Sequence, residues 1–241
     1  MLRIIDARTG DRVVAAPVRR GLTRVEAHAS GYGSDTLRIL LVADLLVRAL
    51  ELGGTPVWPL LTGEHDQAEL RAGAAALGIH PFEDGQDLAA GLGEAQVLHV
   101  VGLDRPAEHA PLDAARLTVA PVAGKVPADL TALRLALLAR PRTEPVRLDA
   151  ALLSEAHETL VRWRRAVADW ARRPSRPVPD EVRGRLRTAW EDDLDVPEML
   201  RVLRWVEDAG PALPDGARFE TYAYADRLLG LELTRDLGAP A

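Results

Sequence analysis

The chain has 241 residues and a mass of 26.1 kDa, enough for one large or two small domains whose core needs no disulfide or metal staple. Its 30 basic and 36 acidic residues give a net charge of −6 and a pI near 5.6, which argues against a surface that coats nucleic acid phosphates. Zero cysteines exclude a disulfide framework, a thiol nucleophile and every cysteinyl zinc site, so any chemistry must run on oxygen, imidazole or backbone groups.

The chain opens with LRIIDA (2–7) and RVVAAPV (12–18), which read as strands around the turn RTGD, and TRVEAHA (23–29) reads as a third. After the loop GYGS (31–34), apolar residues from Leu37 to Leu52 fall on a helical stripe closed by Gly53 and Gly54. TPVWPLL (55–61) is the next predicted strand, and QAELRAGAAALG (67–78) is a short helix. QVLHVVGL (96–103) is an apolar run suited to a strand buried on both faces, and LTVAPVAGK (117–125) adds one more. This alternation predicts an α/β, Rossmann-like parallel-sheet domain over residues 1–125. Residues 126–241 read as an all-helical bundle: 129–140, 149–172, 179–190, 195–209 and 217–230, separated by proline-rich turns. Trp163, Trp170, Trp190 and Trp205 fall on its apolar stripes and are expected in the core.

No run reaches the roughly 18 apolar residues that span a bilayer, and the N-terminus turns polar too early for a signal peptide, so a cytoplasmic protein without membrane contact is expected. Arginine supplies every basic side chain but one, Lys125; biased composition accounts for that better than a preference for guanidinium chemistry.

Several strings are candidates for chemistry. The GYGS loop suits an anion at a helix N-terminus, although it lacks the full GxGxxG spacing, and the competing expectation is an ordinary turn with Ser34 or Asp35 capping the helix. His99 in a buried strand and His109 further on are acid-base or ligand candidates. His109 and Asp113 stand four apart, but two ligands do not close a zinc site. WEDDLDVPEML (190–200) carries Asp192, Asp193 and Asp195 ahead of Pro197; an acidic N-cap on Asp195 explains it better than a divalent cation.

The same strings carry a family resemblance. TALRLALLARPRTEPVRLDAALLSEAHETLVRWRRAV (131–167) and VRGRLRTAWEDDLDVPEMLRVLRWVEDAG (182–210) resemble cysteinyl-tRNA synthetases and, more closely, their actinobacterial paralogue, the mycothiol-pathway ligase that joins cysteine to glucosaminyl-inositol. SDTLRILLVADLLVRALELGGTPVW (34–58) resembles the helix after the family's HIGH signature, keeping Arg38, Asp44 and Arg48. VLHVVGLDRPAEH (97–109) resembles the family's IHGGGIDLIFPHH segment. The resemblance implies a Rossmann-like domain of the HUP type, an ATP or adenosine-type ligand, and a binding crevice at Gly31, Gly33, Ser34, Asp35, Thr36, Gly102 and Asp104.

The departures from the family pattern set the functional expectation. The family's HIGN tetrapeptide falls on Gly33, Ser34, Asp35 and Thr36, so its imidazole is gone and a carboxylate stands near the phosphate position. The lysine-rich KMSKS loop is shortened to GKVPADL (124–130), where Lys125 is the one remaining cation. Of the family's zinc ligands, the first cysteine corresponds to Arg24, the second has no counterpart, and His109 and Asp113 form a remnant pair, so no zinc is expected. The connective insertion and the anticodon-binding end have no counterpart, which makes tRNA charging unexpected. The expected protein is a catalytically degenerate paralogue, a pseudoenzyme that binds a small molecule or a partner protein, with no required cofactor and no general nucleic acid binding. The alternative is an active adenylate-forming ligase or acyl transferase working through Ser34, Asp35, His99, Asp104 and Lys125.

Overall fold

The computed structural model describes residues 1–17, 21–63, 65–85, 94–104 and 114–238. An N-terminal antiparallel hairpin, β1 (Arg3–Ile5) and β2 (Arg12–Val14), precedes the main sheet. It docks on β7 (Ala115–Val119): the Ala7 N–H donates to the Arg116 carbonyl at 2.8 Å, and the Asp6 carboxylate accepts the Arg116 N–H at 3.2 Å.

β3 (Leu22–His28) alternates, burying Thr23, Val25 and Ala27 on one face and carrying Arg24, Glu26 and His28 on the other. Then follow α1 (Ser34–Leu52), β4 (Val57–Thr62), α2 (Gln67–Ala76), β5 (Glu83–Asp84) and β6 (Glu94–Gly102). All pairings are parallel, in the order β5-β4-β3-β6-β7, so the chain reverses its direction of winding between β3 and β6. This is the Rossmann-like arrangement that the alternation predicts. The expected strand over 117–125 is two strands instead: Pro121 has no N–H to give a ladder, and after it β8 (Val122–Ala123) leaves the sheet to pair with β9 (Val146–Arg147).

The second half is helical apart from β9, a strand where helices alone are expected: α3 (Leu133–Leu138), α4 (Ala150–Trp170), α5 (Asp180–Glu191), α6 (Val196–Asp208) and α7 (Asp215–Leu229). Asp195 caps α6 by accepting the Glu198 N–H at 3.0 Å, with Pro197 in the first turn. Its neighbours are also spent on structure. Asp192 pairs with Arg12 at 2.5 Å, and Asp193 pairs with Arg142 at 2.6 Å while accepting the Ile5 N–H at 2.8 Å. Trp163 and Trp170 are buried and meet Tyr222 edge-on, at 5.6 and 5.1 Å between ring centroids, and Trp190 is buried as well. Trp205 departs from the expectation: it is 44% exposed, and the Arg185 guanidinium covers its ring at 5.1 Å. The cation–π contact shields an indole that the helix turns toward solvent.

One apolar cluster runs from Val25 and Ala27 through α1 into α3, α4 and α6. α1 is buried on nearly every side, the pattern of a central helix. It carries two buried charges, Arg38 and Asp44. The Asp44 carboxylate meets Arg134 at 2.8 Å, Arg48 at 2.9 Å and His80 at 3.0 Å. Arg134 in turn donates to the carbonyls of Leu77, at 2.9 Å, and Leu229. Thus α1, α3 and the chain beyond α2 meet on one carboxylate, and Arg134 ties the end of α7 to it.

Burial alone would raise the Asp44 pKa, but the His80 hydrogen bond and the charges of Arg134 and Arg48 outweigh it and hold the group below the ordinary carboxylate range. A carboxyl more acidic folded than unfolded contributes stability above its unfolded pKa of about 3.9, which is lost as pH falls toward the folded value. Asp44→Asn, which leaves Arg134 buried without its counter-charge, is expected to destabilise by about 3–5 kcal/mol and to flatten the acid limb of the stability profile. Urea denaturation from pH 7 to pH 2 checks both; a loss below about 0.5 kcal/mol with an unchanged acid limb would contradict this assignment.

Candidate functional site

In an open parallel sheet the binding crevice lies beyond the carboxyl ends of the strands, where the winding reverses. Here that place is framed by the loop from Ser30 to Gly33 after β3 and by Gly102–Asp104 after β6. A pocket of about 200 Å³ lies beside it, lined by Asp35 and Ile39 of α1, by Gly102, Leu103 and Asp104, and by Val119, Ala120 and Pro121. Of the predicted site residues, the fold therefore brings Asp35, Gly102 and Asp104 together. Among the described residues, the pocket lining has two carboxylates and no basic side chain.

The start of α1 differs from the capped turn that the sequence suggests. Gly33 is the N-cap, in an extended conformation and without a side-chain cap. Ser34 is buried and its hydroxyl donates to the Gly124 carbonyl at 3.1 Å, while the Asp35 carboxylate accepts the Val122 N–H. Both side chains are drawn sideways to β8 instead of folding back on their own helix. The Thr36 hydroxyl donates to the Gly33 carbonyl at 2.9 Å. Gly31 donates its N–H to the His65 carbonyl at 3.0 Å and holds φ +81°, a left-handed conformation that glycine tolerates. Lys125 follows Gly124 and is exposed; it does not line the pocket. One turn into α1, Arg38 donates to the carbonyls of Ala120, Pro141 and Glu144 at 2.7 to 2.9 Å. Burial pushes its pKa down to about 10 against the pull of Asp35 and Glu144, so it stays charged.

His99 lies on the other face of the sheet, away from this pocket. It sits opposite Glu26 in the β3/β6 register, and its Nδ1 is 2.8 Å from His28 Nε2. The Glu26 carboxylate is 3.7 Å from His99 Nδ1 and 3.9 Å from His28 Nε2, and it accepts the Thr62 hydroxyl at 2.7 Å. Burial pushes the His99 pKa down to about 4 against the pull of Glu26, with His28, Arg24 and Arg116 adding to the burial effect. The ring is therefore neutral at physiological pH. Glu26 and His28 are not among the residues that the sequence singles out. Two polar residues at i and i+2 among alternating apolar ones are the available signal, but their partner is 71 residues away from His28.

His109 and Asp113 lie outside the described residues. The thiolate zinc that the resemblance implies does not fit this chain. There is no cysteine, and Arg24, at the position that resembles the family's first cysteine, turns its guanidinium toward Glu26 at 3.6 Å.

The fold and crevice define a Rossmann-like α/β scaffold joined to a helical bundle. The chain is similar to curated proteins named L-cysteine:1D-myo-inositol 2-amino-2-deoxy-alpha-D-glucopyranoside ligase. It is 37% identical to that of Streptomyces griseus subsp. griseus over 108 residues, 44% of this chain and 25% of the relative. It is 38% identical to that of Streptosporangium roseum over 109 residues, 44% of this chain and 26% of the relative, and 39% identical to that of Segniliparus rotundus over 111 residues, 44% and 25%. The match thus spans about a quarter of each relative's length. No family model matches the chain. Among the described residues, no helix is long and apolar enough to cross a membrane.

Asp35→Ala leaves the Val122 N–H without its acceptor, and the loss of a buried partner is expected to cost roughly 1–3 kcal/mol. Chemical denaturation checks this; an unchanged midpoint would show that Asp35 does not hold the β8 segment to α1.

Proposed function

We propose that this chain is a small-molecule-binding protein on a cysteine-ligase-like scaffold, with ATP-dependent ligation and tRNA charging lost. The observation that carries this reading is the start of α1. Ser34 and Asp35, at the positions that resemble the family's phosphate-binding tetrapeptide, are spent on Gly124 and Val122 of the β8 segment. A triphosphate there would meet Asp35 and Asp104, with no basic side chain among the described residues of the lining. At an effective dielectric near 20 and about 4 Å, each like-charge contact costs roughly 4 kcal/mol before screening, and helix-terminal amides return only about 0.3–1 kcal/mol.

The same carboxylates favour a cation. Both substrates in the relatives' printed name, L-cysteine and an amino sugar, carry an amine. A pocket of about 200 Å³ admits a molecule the size of an amino acid and is below the usual range for nucleotide-sized ligands. The proposed ligand is accordingly a small primary amine whose ammonium sits between Asp35 and Asp104, and no cofactor is required. A partner protein presenting a lysine or an N-terminus is the macromolecular form of the same chemistry. The competing reading, an active adenylate-forming ligase, draws on the 35–39% identity to curated ligases and on Lys125, adjacent to the Gly124 that Ser34 holds at the start of α1.

Calorimetry with MgATP, adenosine, L-cysteine and glucosamine separates the two. We expect no heat with MgATP, and binding of at least one amine that weakens about tenfold or more in Asp104→Asn. ATP binding at micromolar concentration, or amino-acid-dependent pyrophosphate exchange abolished by Lys125→Ala, would overturn the reading in favour of a ligase.

A further inference from the structure

Glu26, His28 and His99 lie on the sheet face opposite Val25 and Ala27, away from the pocket of the proposed function, and have no part in that reading. We propose that these three side chains hold a divalent transition-metal ion of the zinc, iron or cobalt type, with a fourth coordination position left for water or a substrate donor.

The geometry supports this in three ways. First, the donor atoms are gathered. One ring nitrogen from each histidine and a carboxylate oxygen lie within 4.8 Å of one another. Bonds of about 2.0–2.2 Å to a tetrahedral ion put neighbouring donors roughly 3.3–3.6 Å apart. His28 Nε2 and His99 Nδ1 are 2.8 Å apart, and the nearest Glu26 oxygens, Oε1 for His28 and Oε2 for His99, lie at 3.9 and 3.7 Å, which bracket that range, so small rotamer adjustments close the set. Second, the donors stand on adjacent central strands, β3 and β6, with Glu26 and His99 in direct register, and the Thr62 hydroxyl fixes the carboxylate from β4. Ligands on rigid strands whose orientation is set by an outer hydrogen bond are the arrangement that metal sites use. Third, the cluster is under-satisfied without an ion. The facing nitrogens, His28 Nε2 and His99 Nδ1, share one proton between two lone pairs, and the Glu26 carboxylate stands beyond hydrogen-bond distance of both, at 3.9 and 3.7 Å. A buried neutral pair of this kind costs desolvation that a hydrocarbon pair would avoid, whereas ligation uses a lone pair from each ring.

The donor set also narrows the ion. Two imidazoles and one carboxylate suit zinc and iron(II), which bind that three-ligand combination with open positions, and disfavour magnesium and calcium, which need oxygen cages. Arg24, 3.6 Å from the Glu26 carboxylate, and Arg116, opposite His99 in the β6/β7 register, place positive charge beside the site. An entering ion displaces Arg24 from Glu26, and the two guanidinium groups then favour an anionic fourth ligand, hydroxide or a substrate carboxylate or phosphate oxygen.

The test is titration of the chelator-stripped protein with Co2+, read by visible absorption, and with Zn2+, read by equilibrium dialysis and elemental analysis. We expect one ion per chain, a Co2+ spectrum of four- or five-coordinate intensity, and displacement of Co2+ by Zn2+. Glu26→Gln and His28→Gln, near-isosteric changes at part-exposed positions, are expected to weaken binding at least tenfold while leaving the metal-free melting temperature close to that of the parent. His99→Ala is expected to weaken binding equally but opens a cavity in the sheet, so the other two variants are the decisive ones. His157→Gln, at an exposed position outside the cluster, is expected to change nothing. Absence of stoichiometric uptake, or uptake that survives both Glu26→Gln and His28→Gln, would overturn the assignment.

Discussion

Asp44 is fully buried, and the two halves of the molecule meet on its carboxylate. It sits in the middle of a helix that touches both the sheet and the bundle, and the Arg134 it holds reaches the carbonyls of Leu77 after α2 and of Leu229 at the end of α7. Arg38 does the same near the start of that helix, collecting three carbonyls from the segments on either side of α3. Arg142 ties the end of β7 to the turn before α6, and Arg164 reaches the carbonyls of Leu231 and Glu232 after α7. A planar guanidinium with five fixed donors can satisfy several carbonyls at once, which an ammonium on a flexible stem does poorly. The near-absence of lysine, which composition alone ascribes to bias, thus coincides with a fold whose joints are made by buried arginines.

This framework determines what the crevice can do. α1 is fixed at its start by Ser34 and Asp35 and along its length by Arg38 and Asp44, so its first turn has no side chain left for a phosphate. The same constraint shapes the pocket, because drawing Asp35 toward β8 puts its carboxylate in the wall between α1 and β7. In the fold the side chains at 34 and 35 are structural ties between α1 and the β8 segment.

The strands and helices are legible in the sequence because periodicity is a local property. The elements over 22–62 and 149–229 lie where the alternation and the helical stripes put them, and the Asp195 cap is readable from its own string. Pro121 explains the one broken strand. Relations between distant segments are not readable in this way. Ser34 with Gly124, Asp35 with Val122, and Glu26 with His99 each join residues more than 70 apart, and a parallel register has no signature in either strand alone. Glu26 and His28 look in sequence like the solvent side of a half-buried strand. Trp205 departs from its expected place for the complementary reason: a helical stripe tells which residues share a face but not how far the neighbouring helix extends over it.

The chemistry of the crevice depends on the first turn of α1 being occupied by the protein itself. Native-state amide hydrogen exchange at Val122, with and without saturating MgATP, tests this directly, because that N–H is the donor claimed by Asp35. The expected result is slow exchange in the free protein and no change at Val122 or across Gly33–Leu37 when MgATP is added. Exchange at the rate of an open loop, or nucleotide-dependent protection confined to those residues, would contradict it.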